Sequence, residues 1–384
     1  MKTIYHNAQV ITPNHILANG SVVVENDIII GIERNLPYVQ DAIMIDVEGK
    51  YLSPGFIDIH VHGGGGFDFM DATIEAFEKI AQSHKAHGTI ALMPTTLTST
   101  PELLESVLQT YQEIKAQKSS IIRWLGMHIE GPYFALAHKG AQDARFIRNP
   151  NEEEYTRLFQ QYPVIARWSV APELPGALAM GKYLCQQGVI ASIAHTDAVF
   201  DDVILAVENG YSLLTHLYSA MNGVVRRNTY RMAGAVESAF LLPYIDAEII
   251  ADGIHIPPAL LQLIVKNVDT SRIALITDAM RAAGTNHTTS ILGDTLNGQP
   301  VLIEDGVAKL PDRSAFAGSI ATMNRLVYTM WKLAGIPLAD CIRMASTTPA
   351  RIANVQHAIG SIAIGKQAKM IAFDENVHVH QVFA

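Results

Sequence analysis

Eight short apolar runs, most of them separated by helix-length segments, pass through the middle of this 384-residue chain. They are GFIDIHVH (55–62), GTIALMPTT (88–96), IIRWLGMHIE (121–130), VIARWSVAPE (164–173), GVIASIAH (188–195), YSLLTH (211–216), DAEIIAD (246–252) and RIALITD (272–278). The intervening segments include TIEAFEKIAQSHKAHG (73–88) and PELLESVLQTYQEIKAQ (101–117), which carry apolar residues at helical spacing. Alternation of this kind predicts an α/β fold with parallel strands and crossover helices. Eight is the strand number of a (β/α)8 TIM-type barrel. A doubly wound open sheet is the alternative, but no Gly-x-Gly-x-x-Gly opens a helix where a dinucleotide fold needs one.

The two chain ends read differently. SVVVENDIIIGIE (21–33) predicts two strands around a Glu25-Asn26-Asp27 turn, and the last residues, from Gly360 onward, return to short strands. Since chain ends often meet, residues 1–53 and 355–384 are expected to form one small β-sandwich domain. Residues 54–354 would then be the barrel. After the eighth run, ILGDTLNGQPVLIEDGVAKLPD (291–312) has the look of an inserted hairpin.

Composition narrows the function. Charged residues are 17% and hydrophobic ones 49%, which argues against disorder. A net charge of −9 argues against a general nucleic-acid binder and leaves room for a small basic pocket. No run reaches the ~18 uninterrupted apolar residues of a membrane span. The start, MKTIYHNAQV, lacks the apolar core and cleavage pattern of a signal peptide. Cys185 and Cys341 have no metal-type spacing and suit a reducing compartment. The expectation is a cytoplasmic protein without membrane or nucleic-acid partners.

In barrels of this type the chemistry stands at the C-terminal ends of the strands. The first run ends in His60-Val61-His62, and alternation puts Asp58, His60 and His62 on one face. Such a pair is either a hydrogen-bonded couple or a metal grip. The third run ends in His128 and Glu130, the fifth at His195, the sixth at His216 and the eighth at Asp278. Singly, each has an ordinary explanation, a lone Asp before a helix being commonly a cap. Together at one rim they are the ligands of a divalent metal, and burying them side by side without a cation would cost several kcal/mol.

This arrangement resembles the amidohydrolase superfamily, with His-x-His on strand one, single histidines on strands five and six and an aspartate on strand eight. Many members bridge their metals with a carboxylated lysine on strand four, but VIARWSVAPE has none. With Glu130 in HIEGPY, together with IADGIH and HLYSAM, the chain looks like the branch that deacetylates N-acetylglucosamine-6-phosphate. The resemblance implies a metal-dependent hydrolase with Glu130, His195 and His216 at one cation and His60 and His62, sharing Glu130, at a second. One or two divalent ions per chain are implied, with zinc or iron foremost and manganese or cobalt as alternatives. Asp278 would move the proton, and His128 would pack behind the ligands.

For the substrate, an amino-sugar phosphate, the resemblance implies Gln142, Ser219, Ala220, Arg227 and His255. Gln142 stands where the family usually has a histidine on the acetamide, and Ser219 stands where asparagine is usual. His255 and either Arg226 or Arg227, the latter preferred, would meet the phosphate, often across a homodimer interface. Here NGVVRRNTYRMAG replaces the family's Arg-Glu-Pro-Gly turn. Rival readings are an N-acetylgalactosamine-6-phosphate or other acetyl-hexosamine deacetylase, and an amidohydrolase acting on cyclic amides or N-acyl amino acids. A non-enzymatic scaffold on the same fold is a further rival.

Overall fold

The computed structural model describes residues 2–37, 40–117 and 120–383. Each of the eight apolar runs forms a strand: β1 Phe56–Val61, β2 Thr89–Pro94, β3 Met127–Glu130, β4 Ile165–Val170, β5 Ile190–Ile193, β6 Tyr211–Leu214, β7 Asp246–Ile249 and β8 Ile273–Leu275. All their mutual pairings are parallel. They make two arcs, β1 with β2 and β3 through β8. Parallel bridges cross both seams, Thr95 to His128 and Val61 to Ala279. At the second seam the Asp278 amide donates to the His60 carbonyl at 2.9 Å.

Helices α1 (Ile74–Ala86) and α2 (Pro101–Lys115) return the chain from β1 to β2 and from β2 to β3. Thr73 caps α1 by accepting from the Ala76 amide, and Thr100 caps α2 with Pro101 at its first turn. In α1 the buried residues Ala76, Phe77, Ile80, Ala81 and His84 recur on one face, which packs on the strands. Trp168, Phe77, Tyr111 and Tyr211 share that apolar layer. Helical connections also follow β4, β5, β6 and β7.

The concave side of the curled sheet is polar. Asp58, His60, His128, Arg167, Ser169, Ser192, Thr215, Glu248 and Thr277 are all buried. At its centre lies the guanidinium of Arg167, on β4, fully buried. It grips both carboxylate oxygens of Glu248, on β7. It also donates to Ser192 Oγ at 2.9 Å, to Thr215 Oγ1 at 2.8 Å and to the Ile59 carbonyl at 3.3 Å. One side chain thereby ties β1, β4, β5, β7 and the end of β6. A buried charge survives only when paired and fully hydrogen-bonded, and this one is.

Seven strands from the two chain ends lie in one mixed sheet, in the order 379–383, 370–373, 51–54, 2–11, 16–25, 28–33, with 43–46 also paired to 2–11. The Glu25-Asn26-Asp27 turn stands where expected, with Asn26 and Asp27 at positive φ as a tight hairpin requires. The expected inserted hairpin is larger than the sequence suggested. Residues 289–319 form a four-stranded antiparallel sheet, because Phe316–Ser319 adds a strand beside Val307–Lys309.

Two outcomes follow from these buried polar groups. Glu248→Ala leaves Arg167 charged, buried and unpaired, and is expected to cost about 3–5 kcal/mol in urea unfolding; a loss under about 1 kcal/mol would show that water or another residue takes over the charge. His84 is fully buried and its Nε2 meets the Gly63 carbonyl at 3.0 Å; burial lowers its pKa to about 4. Below the unfolded value of ~6.5 the unfolded chain therefore binds the proton first, so this group's contribution is whole above that pH and drains away towards pH ~4. Relative to His84→Gln, the wild type should lose on the order of 2 kcal/mol between about pH 7 and about pH 4.5, read from urea midpoints. A constant difference across that range would contradict the assignment.

Candidate metal centre

His60 and His62 leave β1 on one face, as strand alternation requires, and Glu130 closes β3 beside them. His195, His216 and Asp278 stand just past the ends of β5, β6 and β8. All three hold positive φ, at 46°, 31° and 47°. Such backbone is uncommon for residues with a side chain and clusters at functional sites, where the surrounding fold over-determines it. Here the turn swings each side chain back over the sheet instead of along the strand.

The six side chains meet. Glu130 Oε1 lies 3.2 Å from His216 Nε2, 3.5 Å from His195 Nε2 and 3.4 Å from His60 Nε2. Its Oε2 lies 3.4 Å from His62 Nε2. Asp278 Oδ1 is 3.0 Å from His62 Nε2 and 3.5 Å from His60 Nε2. Two groups of ligand atoms result, His60–His62–Glu130 and Glu130–His195–His216, each within 4.8 Å of one another. Both share Glu130.

The far ring nitrogens explain the aim of these imidazoles. His60 Nδ1 meets Glu248 Oε2 at 3.3 Å, so the Arg167–Glu248 pair stands behind it. His195 Nδ1 meets the His138 carbonyl at 2.8 Å. Such outer partners orient a metal-binding imidazole and set its tautomer. His62 Nδ1 and His216 Nδ1 are buried without a hydrogen-bond partner among the described residues. His128 is held by Thr95 Oγ1 at 3.1 Å and Ser169 Oγ at 2.7 Å, and its ring packs edge-on against His60. It sits behind the ligand atoms and belongs to neither group.

Electrostatically this is a place for positive charge. Burial works to lower His60 and His62, but Glu130 and Asp278 outweigh it and lift them to about 9 and about 10. Burial likewise opposes ionisation of Glu130 and Asp278, yet the imidazoles hold both carboxyls below the usual range. Protons or a cation can supply the charge. The donor set of imidazole nitrogens around a shared carboxylate is the chemistry of a divalent-metal site, so the residues fit the group.

The site opens into a cavity of about 570 Å³. Gln142, Ser219, Ala220 and His255, the residues the resemblance implied for the substrate, are among its lining residues. His255 Nδ1 is taken by Asp252 Oδ2 at 2.7 Å, and its ring packs on Phe316. Arg227 is the exception: it is not among the lining residues. It lies exposed on a hairpin, Val225–Arg227 against Tyr230–Met232, and its Nη2 donates to the Asp197 carbonyl at 3.0 Å and to Asp197 Oδ2 at 3.2 Å. Asn228 and Thr229, at the hairpin turn, both hold positive φ.

Sequence reasoning missed several contributors. Lys139, Tyr218 and Phe316 line the cavity, the last from the inserted sheet. Arg167 and Glu248 were also missed, although a lone charge inside an apolar strand run was the available signal.

Comparison with known proteins agrees with this geometry. The sequence model of the amidohydrolase family matches residues 51–384. An N-acetylgalactosamine-6-phosphate deacetylase of Escherichia coli O157:H7 is 33% identical over 341 residues, 88% of this chain and 87% of that protein. An N-acetylglucosamine-6-phosphate deacetylase of Vibrio furnissii is 32% identical over 86% of this chain and 81% of that one. Among solved structures, an N-acetylglucosamine-6-phosphate deacetylase from Pasteurella multocida superposes with a TM-score of 0.92 at 28% identity, covering 100% of this chain and 98% of the other. The amidohydrolase family is metal-dependent, and the two histidine–glutamate groups are this chain's candidates for the ion. With its family match, its relatives and its fold in agreement, the chain belongs to the amidohydrolase family.

Proposed function

We propose that this protein removes the acetyl group from N-acetylglucosamine-6-phosphate, giving glucosamine-6-phosphate and acetate. The observation that carries the reading is Glu130 ringed by four imidazoles, with Asp278 3.0 Å from one of them, at the wall of a sugar-sized cavity. Relatives named for this reaction, including a Mycobacterium smegmatis enzyme solved with N-acetyl-D-glucosamine-6-phosphate at a TM-score of 0.90, support it. A second reading, the galactosamine epimer, is favoured by the Escherichia coli relative.

Glu130, His195 and His216 would hold one divalent ion, and His60 and His62 a second that shares Glu130. Zinc or iron suits this imidazole and carboxylate set best. Such an ion supplies Lewis acidity toward the acetamide carbonyl and lowers the pKa of water towards ~7. The protein's own part is to place the substrate and move the proton. Asp278 is ionised, so its carboxylate accepts a proton as water attacks the acetamide carbon. It returns that proton to the sugar nitrogen, which must be protonated before the C–N bond breaks. Acetic acid and the amine result, and transfer of the acid's proton to the amine gives acetate and the ammonium form of the sugar.

Gln142, Ser219, Ala220 and His255 would contact the sugar, with His255 toward the phosphate. Arg227 would meet the phosphate of a substrate bound to a partner subunit, since it is exposed and does not line its own chain's cavity. We read the eight parallel strands as a closed (β/α)8 barrel over 54–354. The sheet from 1–53 and 355–384 would then belong to a small β-sandwich; the buried cluster that includes Ala8, Val10, Val22, Leu52 and Met370 supports a separate core there. A homodimer in the cytoplasm completes this reading. No helix among the described residues is long and apolar enough to cross a membrane.

Asp278→Asn is expected to bind substrate but to turn over at least ~100-fold more slowly, the usual size of a lost acid–base group. Near-normal turnover in single-turnover kinetics would remove Asp278 from the chemistry. A panel of acetyl-hexosamines with and without 6-phosphate tests the substrate. Arg227→Ala should lower kcat/KM for the phosphorylated sugar roughly ten- to a hundred-fold, matching a charge-assisted bond of about 1.5–3 kcal/mol, and leave the unphosphorylated sugar little changed. Wild-type preference for the unphosphorylated sugar would overturn the phosphate reading.

A further inference from the structure

Gln142 stands in the loop beyond β3 and is buried, 5% exposed. Its Oε1 accepts the Thr98 backbone N–H at 2.8 Å, and its Nε2 donates to Glu130 Oε2 at 2.8 Å. A backbone amide only donates and an ionised carboxylate only accepts, so the side-chain amide has one allowed orientation here. Glu130 is anchored from the same stretch at its backbone, its N–H meeting Thr96 Oγ1 at 3.3 Å. The terminal torsion of a glutamate is broad, so nothing within Glu130 itself decides where its two oxygens point. They nevertheless differ, Oε1 facing His195, His216 and His60 and Oε2 facing His62.

We infer that Gln142 is a positioning residue that sets this orientation, holding Glu130 so that Oε2 faces His62 while Oε1 faces the other three imidazoles. Thr98 fixes the amide, the amide fixes Oε2, and the planar carboxylate then fixes Oε1. The role differs from a contact to the acetamide: with its oxygen on Thr98 and one N–H on Glu130, the amide has a single N–H left for anything else. A carboxylate oxygen keeps a second lone pair when it accepts one hydrogen bond, so holding Oε2 does not prevent it from meeting a cation. The inference rests on the reading of Glu130 as a ligand shared by two ions.

The test is a calorimetric titration of chelator-stripped protein with Zn²⁺ alone. Wild type is expected to take two equivalents. Gln142→Met keeps the shape and loses the donor, and is expected to hold the first equivalent while the second binds 10- to 100-fold more weakly, the usual effect of removing an outer partner of a ligand, about as large as any such loss. Retention of the first equivalent reports that the variant is folded. Binding of both equivalents at wild-type affinity overturns the inference. Should wild type take one equivalent only, the shared-ligand reading fails on its own, and Gln142→Met is judged on that equivalent by the same criterion. Gln142→His offers an acceptor and a donor across its ring and is expected to recover most of the lost affinity. A His variant as weak as the Met variant would show that the hydrogen-bond relay is not what Glu130 needs.

Discussion

One carboxylate, Glu130, stands among the Nε2 atoms of four imidazoles at 3.2 to 3.5 Å, and the architecture around it serves that crowding. Bringing so many ionisable groups out of water is costly unless they compensate one another. They do so here by sign: Glu130 and Asp278 stay ionised, and His60 and His62 favour positive charge. A site so arranged is preorganised for a cation before one arrives. The same balance keeps Asp278 ionised.

Crowding of this kind needs rigid supports, and they come from two directions. Below, Arg167 and Glu248 form a buried ion pair with satisfied hydrogen bonds, and Glu248 turns His60 toward the rim. Above, the loops bend through positive φ at His195, His216 and Asp278, a backbone state that only a packed fold can enforce. Gly131 illustrates the tolerance involved. Its φ is +88°, and a Cβ there would lie 2.3 Å from Thr98 Oγ1, so only glycine lets β3 deliver Glu130 and then turn away. Support and strain act together to bring six ionisable side chains from five strands within reach of one another.

The cavity wall shows a different division of labour. His255 is fixed by Asp252, and Ser219 and Ala220 follow directly on His216, so these contacts are tied to the strand-end geometry. Phe316 instead comes from the four-stranded insert after β8, which closes one side of the cavity. Arg227 stands on an exposed hairpin, bound to Asp197. Asp197 also accepts from Asn222, and it lies 3.4 Å from His138, whose carbonyl holds His195. A chain of polar contacts thus runs from the arm to the His195 ring, although Arg227 does not line the cavity.

From sequence alone the eight strands, their parallel order and the polar residues at the strand ends were legible, because each is a local signal. An apolar run sets a strand, alternation sets the face, and a polar residue at the run's end sets a position at the rim. The pair at His60 and His62 needed only a period of two. What required tertiary structure is everything that depends on residues distant in the chain. That Arg167 pairs with Glu248, 81 residues away, follows from β4 and β7 facing one another across the concave side. That Gln142 reaches Glu130, and that Arg227 does not reach its own cavity, follow from loop paths that no periodicity encodes. Strand pattern is written in short-range burial, whereas the direction of a side chain at a loop is decided by whichever hydrogen-bond partner the folded chain places beside it.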